Sequence, residues 1–149
     1  MRLTDRLFVT MAALSLAAGT TALPTAATAQ SCDRACLGDV MTRFLDSLVR
    51  HDPALAPLAD NVRFTEDAKE MAVGSGFWTT ASGLGAFRTD FLDVRNQTAA
   101  VHAAMDEQGT PVLFAARLKV ENREIAEIET MVVRGQAEAM LFNQDEVGS

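Results

Sequence analysis

The stretch from Val112 to Val133 alternates apolar and polar residues in two runs, the period-2 pattern of strands with one buried face. A loop over residues 122–124 joins the runs into a hairpin in which Leu118 lies opposite Ile128, so that apolar residues meet apolar residues. A two-residue turn would shift the pairing by one position and place Leu118 opposite Glu127. The pattern therefore predicts an antiparallel hairpin with a three-residue loop.

The polar positions of this hairpin carry charges of opposite sign. The predicted register places Arg117 opposite Glu129 and Lys119 opposite Glu127. Such pairs are typical of a solvated sheet face, where each contributes little free energy. In the other interpretation the two basic residues face a pocket and bind an anion.

Two helices are predicted elsewhere in the chain. Apolar residues at three- and four-residue steps indicate a long helix that is capped by Ser31 and ends near Arg50, ahead of Pro53. Ser82 is the cap of a second predicted helix over residues 83–92, whose apolar side chains we expect to face inward.

Strands are predicted over residues 61–66, near 70–73 and over 98–105, in addition to the hairpin. The order of elements contains no strand–helix–strand alternation from which a parallel sheet is built. The sequence therefore predicts the α+β class, with an antiparallel sheet against the long first helix.

Residues 1–29 have the features of a secretory signal peptide. Arg2 and Arg6 form a basic start, residues 7–18 form an apolar run too short for a comfortable membrane span, and residues 27–29 give a small-x-small cleavage pattern. We therefore expect a secreted or periplasmic protein.

The mature chain is expected to form one domain over residues 30–134, followed by a tail over residues 135–149. Without Arg2, Asp5 and Arg6, the 13 basic and 20 acidic residues of the full sequence become 11 and 19, a net charge of −8. This charge argues against nucleic acid and anionic membranes as partners of the mature protein.

Cys32 and Cys36 are the two cysteines of the sequence. On a helical turn their Cα atoms would lie about 6 Å apart, within reach of a disulfide, which an exported protein can keep. A redox or metal-binding pair is the other interpretation, but the spacing is not C-x-x-C and no second ligand pair accompanies it. We predict a disulfide and no metal site.

Glu66 and His102 are the candidate catalytic residues. Alternation from Phe64 turns Glu66 toward the interior, where aromatic neighbours would suit a carboxyl group to proton transfer. If the strand ends earlier, Glu66 lies in solvent beside Asp67. The face of His102 depends on the turn before Val112, so a catalytic and a structural role both stay open.

An apolar pocket is the predicted binding site. Its candidate residues are five aromatic side chains and one cation: Phe44, Phe64, Trp78, Phe87, Arg88 and Phe114. In the other interpretation the aromatic residues form the core, and Arg88 pairs with Asp90 or Asp93.

Three stretches resemble the NTF2-like superfamily and its SnoaL-like branch: FLDSLVRHDPALAPLADNVRFTED, SGLGAFRTDF and ENREIAEIETMV. The resemblance implies a cone in which a curved antiparallel sheet wraps the long first helix, SGLGAFRTDF forms a closing helix and ENREIAEIETMV forms the closing strand. Proteins of this superfamily include isomerases, dehydratases, cyclases and lyases, and also many domains without chemistry.

The ketosteroid isomerases of this superfamily carry an acidic base just after the first strand, in a setting similar to residues 64–67 here, which implies that role for Glu66. They use a tyrosine of the first helix as oxyanion donor, where this chain has Phe44 and no tyrosine anywhere. The resemblance implies a small hydrophobic or aromatic ligand in the cone, with cofactor-free isomerisation, dehydration or lyase cleavage as the chemistry of an enzyme.

The alternative function is a non-catalytic interaction module that forms a homodimer through its sheet. A cone cavity lined by two titratable groups would favour the enzyme. An interior filled by phenylalanines such as Phe64, Phe87 and Phe114 would favour the module.

Overall fold

The computed structural model describes residues 30–135, so the predicted signal peptide and residues 136–149 of the tail lie outside the described range. The described chain contains one α-helix and six strands. Helix α1 spans Arg34–Val49, and strands β1 to β6 span Leu58–Glu66, Lys69–Met71, Ala81–Asp93, Thr98–Glu107, Thr110–Glu121 and Glu124–Val133. Short 3₁₀ helices span Pro53–Leu55 and Gly76–Thr79. The predicted strands near 61–66, 70–73 and 98–105 correspond to β1, β2 and β4.

Helix α1 follows the predicted amphipathic pattern. Its cap is Asp33, whose carboxylate accepts a hydrogen bond from the backbone N–H of Cys36 at 2.8 Å, so the prediction of Ser31 as the cap was wrong. Asp33 is preferred because its side chain reaches a free amide of the first turn. One face of α1 is buried in the core: Leu37, Val40, Met41, Phe44, Leu45 and Leu48.

The predicted Cys32–Cys36 disulfide is confirmed, with the two Cα atoms 5.2 Å apart. The side-chain amide of Gln97, in the turn between β3 and β4, accepts a hydrogen bond from Cys32 N at 2.6 Å and donates one to Cys32 O at 2.8 Å. The backbone of Cys32, just before α1, is therefore hydrogen-bonded to the β3–β4 turn, and the disulfide links Cys32 to the first turn of the helix.

The six strands form one curved sheet in the order β2-β1-β6-β5-β4-β3. Neighbouring strands are antiparallel except β1, which lies parallel to β6 with Phe64 beside Ile128. The expectation of a purely antiparallel sheet was therefore wrong at this one pair. The parallel pair arises because β1 and β6, the first and last strands of the chain, are neighbours in the sheet although no hairpin joins them.

The predicted hairpin register is confirmed: Leu118 pairs with Ile128, Arg117 with Glu129 and Lys119 with Glu127. The predicted three-residue loop was wrong. The turn has two residues at positions 122 and 123, both with positive φ as a type I′ hairpin requires. A bulge between Lys119 and Val120 then moves the pairing by one position and restores the apolar contacts.

The predicted second helix over residues 83–92 was wrong, because this stretch is strand β3. Its apolar residues have helical spacing, but the backbone pairs along its length with β4. A bulge between Leu84 and Arg88 interrupts the ladder, and a side chain at Gly85 would lie 3.0 Å from the carbonyl oxygen of Ala104. Glycine permits that close approach, whereas it disfavours a helix.

The sheet has two unlike faces. The face toward α1 carries the core, in which Trp78 contacts Phe44 and Phe64 edge-on at 5.5 and 5.6 Å, and Phe77 stacks on Phe114 at 5.2 Å. We call the other face the open face. Its residues are Arg63, Thr65, Phe87, Phe91, Ala100, His102, Leu113, Ala115, Arg117, Glu127, Glu129, Met131 and Val133.

Candidate functional site

The predicted pocket residues divide between the two faces. Phe44, Phe64, Trp78 and Phe114 belong to the core and are each at most 2% exposed. Trp78 also donates its indole N–H to the carbonyl of Ser47 at 3.0 Å, which ties it to α1. Trp78 contacts Phe44 and Phe64, and Phe114 stacks on Phe77, so these side chains are packed within the core.

Phe87 and Arg88, the other two predicted pocket residues, are neighbours on β3 and therefore point in opposite directions. Phe87 lies on the open face. Arg88 lies on the α1 side, where it forms a two-point ion pair with Asp90 at 2.8 Å and donates to the hydroxyl of Thr42 at 3.0 Å. The interpretation in which Arg88 pairs with Asp90 matches this geometry.

Glu66 is turned inward, as alternation along β1 predicts, and is 6% exposed. Its carboxylate accepts one hydrogen bond from the backbone N–H of Phe77 at 2.8 Å and another from the guanidinium of Arg134 at 3.0 Å. The interpretation that places Glu66 in solvent is therefore wrong. Its charge is matched by a cation that the sequence analysis did not single out.

Arg134 joins three carboxylates, and we call this group the Arg134 cluster: Glu66, Asp67, Glu107 and Arg134. The guanidinium donates to Glu107 at 2.7 and 3.0 Å, lies 3.5 Å from Asp67 and sits 5.9 Å from the centre of the Phe77 ring. Thr80 also donates its hydroxyl to Glu107 at 2.5 Å.

The hydrogen bond from Arg134 holds the pKa of Glu107 below its ordinary value, with a smaller contribution from the hydroxyl of Thr80. The pKa of Arg134 is raised in turn, first by its hydrogen bond to Glu107 and then by that to Glu66. Strand parity could have found this arginine, because Thr130 and Val132 point inward and Arg134 continues their alternation.

His102 lies on the open face, away from Glu66. Its ring contacts Phe91 edge-on with the centroids 5.7 Å apart. The structure therefore does not bring the two predicted catalytic residues together. His51, the other histidine, places Nδ1 2.7 Å from the carbonyl oxygen of Trp78.

The open face contains two adjoining grooves. The apolar groove, of about 310 Å³, is lined by Phe87, His102, Ala103, Leu113, Phe114, Ala115, Met131 and Val133. The charged groove, of about 540 Å³, extends toward Arg63, Phe91, Arg117 and Glu129. Both share His102, Ala115 and Met131, so they form one continuous surface.

Opposite charges are paired along the charged groove. Arg117 donates to Glu129 at 2.8 Å and to Glu127 at 3.0 Å, and Arg63 lies 3.5 Å from Glu127. The hydrogen bond from Arg117 lowers the pKa of Glu129. The solvated interpretation of these charges matches the geometry, although Lys119 donates to the carbonyl of Asn96 at 2.8 Å rather than pairing with a glutamate.

Within residues 30–135, no group of three His, Cys, Asp or Glu side chains is arranged to hold a metal ion. In the same range, no helix has the length and apolarity needed to cross a bilayer.

Solved structures share the architecture of this chain, whereas comparisons of its sequence find no match. No protein-family model matches the sequence, and no curated protein matches it. Among solved structures, an NTF2-like protein of unknown function from Cytophaga hutchinsonii aligns with a TM-score of 0.52 and 12% identity, over 64% of this chain and 88% of that one.

Two further structures share the fold. A candidate ketosteroid isomerase from Kribbella flavida aligns with a TM-score of 0.51 and 13% identity, over 69% of this chain and 82% of that one. A de novo designed protein with a curved β-sheet gives a TM-score of 0.57 and 15% identity, over 74% and 94%. The curved sheet wrapped around one helix is therefore the NTF2-like α+β cone, the fold of SnoaL-like proteins.

Proposed function

We propose that this domain is an interaction module that pairs with a second copy of itself through the open face. The observation that carries the proposal is the exposure of two large apolar residues there, Phe91 at 54% and Met131 at 60%. Contiguous apolar surface of this kind marks interaction sites on soluble proteins. The interior, by contrast, is occupied by aromatic side chains.

The shape of the open face suits close approach by another sheet. Alanines at positions 100 and 115 lie between the larger side chains of Phe91, His102 and Met131. Small residues between large ones leave depressions that the large side chains of a partner can fill. A two-fold axis would present the same ridges and depressions on both copies.

The charges of the open face are compatible with self-association. Arg63 and Arg117 balance Glu127 and Glu129, so this patch is neutral although the whole chain has a net charge of −7. A neutral, internally paired patch avoids the repulsion that like charges would cause between two identical faces.

The size of the face is near the lower limit of a specific protein–protein interface. Strands β3 to β6 have 10 to 13 residues each, which corresponds to a length of about 34 Å for the shorter ones and a combined width of about 19 Å. The projected area is therefore roughly 600 Å², close to the roughly 800 Å² of accessible surface that each partner buries in a standard interface.

Sedimentation velocity tests the proposal. Met131→Asp places a charge at the centre of the open face, and we expect it to convert a reversible dimer to a monomer at about 100 μM. Leu84→Asp is the matched control, because Leu84 is 41% exposed on β3 but lies outside both grooves. A monomeric wild type at that concentration, or a Met131→Asp protein that still dimerises, would refute the proposal.

A second candidate function is the binding of a small hydrophobic or aromatic molecule. The observation that favours it is the apolar groove, which is partly enclosed and offers one polar group, His102, among apolar side chains. An increase in the fluorescence of a naphthalene-type dye on binding, which Leu113→Asp abolishes and Leu84→Asp preserves, would support it. Equal binding by both variants would exclude this groove as the site.

Proton transfer by Glu66 also stays a prediction, for cofactor-free isomerisation, dehydration or lyase cleavage. Its carboxylate is within the interior but already holds Arg134 and the Phe77 amide, so a substrate would have to displace one of them. A turnover that survives Glu66→Gln would remove this role.

The Cys32–Cys36 disulfide supports export, because disulfides persist in the periplasm and outside the cell. We therefore place the proposed module in one of these compartments.

A further inference from the structure

Residues that face each other on neighbouring strands point to the same side of the sheet, so the open face is a grid of rows that cross the strands. Three rows cross the line between β5 and β6, and they pair Leu113 with Val133, Ala115 with Met131, and Arg117 with Glu129. In the middle row a small residue faces a large one, and in the last row opposite charges face each other. The two sides of this line are therefore complementary in size and in charge.

The line between β5 and β6 is also the middle of the sheet. The strand order β2-β1-β6-β5-β4-β3 leaves three strands on each side of it. Because the sheet wraps α1, which packs on its inner side, the open face is the outer, convex side. Two convex surfaces touch first along their middles, so two open faces meet most closely over β5 and β6.

We infer that the second copy docks with the two-fold axis along this line, so that β5 of each copy lies over β6 of the other. This geometry rests on the proposed self-association and adds the contacts that make it specific. Packed sheets keep their strands within about 30° of one another, and rotation about an axis parallel to the strands keeps every row over the same row of the second copy. Met131 of each copy then lies over Ala115 of the other, and Arg117 lies over Glu129 of the other.

The sizes of the side chains favour this axis. Met131 is 60% exposed and projects beside Ala115, which leaves a depression in the same row. Over that depression of the second copy, the Met131 side chain fills a space instead of meeting another large group. An axis along β6 would set the two Met131 side chains against each other, and an axis along β5 would leave a gap between the two Ala115 methyl groups.

The charges favour the same axis. Arg117 donates to Glu129 of its own chain at 2.8 Å, and the second copy would place another pair over it with the signs reversed, so that the four charges alternate. An axis along β5 would instead stack the two Arg117 side chains, and an axis along β6 would stack the two Glu129 side chains. An axis across the strands, through the Ala115 row, would cover the charged row with Leu113 and Val133 and so desolvate the charges against apolar side chains.

An exchange of residues within the Ala115 row tests the axis in the full chain. Sedimentation velocity gives the dimer Kd of wild type, Ala115→Met, Met131→Ala and the double variant, and circular dichroism checks that each protein is folded. We expect each single change to raise the dimer Kd about 5- to 100-fold, because one introduces a collision and the other a cavity. The double variant restores large over small in the reverse order, so we expect its Kd to return to within about threefold of wild type.

Ala115→Met combined with Val133→Ala is the matched control, because Val133 lies in the neighbouring row and the Kd should therefore stay raised. A dimer centred on β5 or on β6 predicts that Ala115→Met with Met131→Ala binds no more tightly than the weaker single variant. That result in a wild type that dimerises, and that Met131→Asp makes monomeric, would overturn the axis alone. A monomeric wild type, or a dimer whose Kd neither single change alters, would refute the proposed self-association through the open face and the axis with it.

Discussion

The Arg134 cluster offers the sharpest prediction, because its buried carboxylate, Glu66, is held by one partly exposed cation, Arg134. Replacing Arg134 by methionine keeps an apolar stem beside Phe77 but removes the positive charge. Glu66, 6% exposed, would then keep one donor, the Phe77 amide at 2.8 Å, and Glu107 would keep the Thr80 hydroxyl. Among residues 30–135, no other cation pairs with these carboxylates.

The expected loss lies between two limits. Breaking a fully buried ion pair costs about 3 to 5 kcal/mol, and losing an exposed pair costs at most about 1 kcal/mol. The Arg134 side chain is 39% exposed whereas that of Glu66 is 7% exposed, so solvent screens the pair in part. We therefore expect Arg134→Met to lower the free energy of unfolding by about 2 to 3 kcal/mol.

Urea unfolding at pH 7, followed by far-UV circular dichroism, measures this loss. For a domain of this size the same loss corresponds to a fall in Tm of roughly 6 to 15 °C. Arg117→Met is the matched control in dilute monomeric samples, because Arg117 also pairs with two glutamates at 2.8 and 3.0 Å, but on the open face, which is solvated in the monomer. We expect this control to lose less than about 1 kcal/mol.

The double variant Glu66→Gln with Arg134→Met isolates the pair. If the loss comes from an uncompensated Glu66, removing that charge restores part of the stability, so the two losses are not additive. Equal losses for Arg134→Met and Arg117→Met would refute the argument, since burial of the acidic partner would then make no difference.

Three further outcomes follow from the fold. Leu118→Ala should lose about 2 to 5 kcal/mol and Glu129→Lys less than about 1 kcal/mol in urea unfolding, since they lie on opposite faces of β5–β6; the reverse order would contradict the assigned faces. Gly76→Ala should lose about 2 kcal/mol or more, because φ is +62° and the added Cβ would lie 2.6 Å from a Glu66 oxygen; an unchanged Tm would contradict this. Because the folded-state pKa of Glu107 is lowered, its stabilisation is complete above about pH 4.5 and is lost as the pH falls through that lowered pKa; a pH titration of stability should show this loss in wild type and a smaller one in Arg134→Met.

The sequence allowed the β5–β6 register to be predicted because both faces of the hairpin carry information. A one-residue shift would expose Leu118 to Glu127, so side-chain pairing is decisive. The sequence did not reveal how the chain reaches this register, which is by a two-residue turn followed by a bulge between Lys119 and Val120. Turn length and bulge compensate each other, and only their combined effect is visible in the side-chain pattern.

Strand β3 was misassigned for a different physical reason. Leu84, Phe87 and Phe91 recur at helical spacing, and Ser82 resembles a cap, so local evidence favoured a helix. The backbone instead completes the ladder with β4, a long-range interaction that no local pattern records. The same error hid the open face, because Phe87 and Phe91 were assigned to the core.

The strand conformation of β3 determines which aromatic side chains are exposed. Trp78 contacts both Phe44 of α1 and Phe64 of the sheet, so these aromatic side chains pack between the helix and the sheet. The aromatic residues that a closing helix would have turned inward lie outside, with Phe91 54% exposed. Apolar surface that is left in contact with water favours association, and it lies on the face that α1 leaves uncovered. Under the proposed function, the surface that binds is therefore the open face of the sheet and not the interior of the cone.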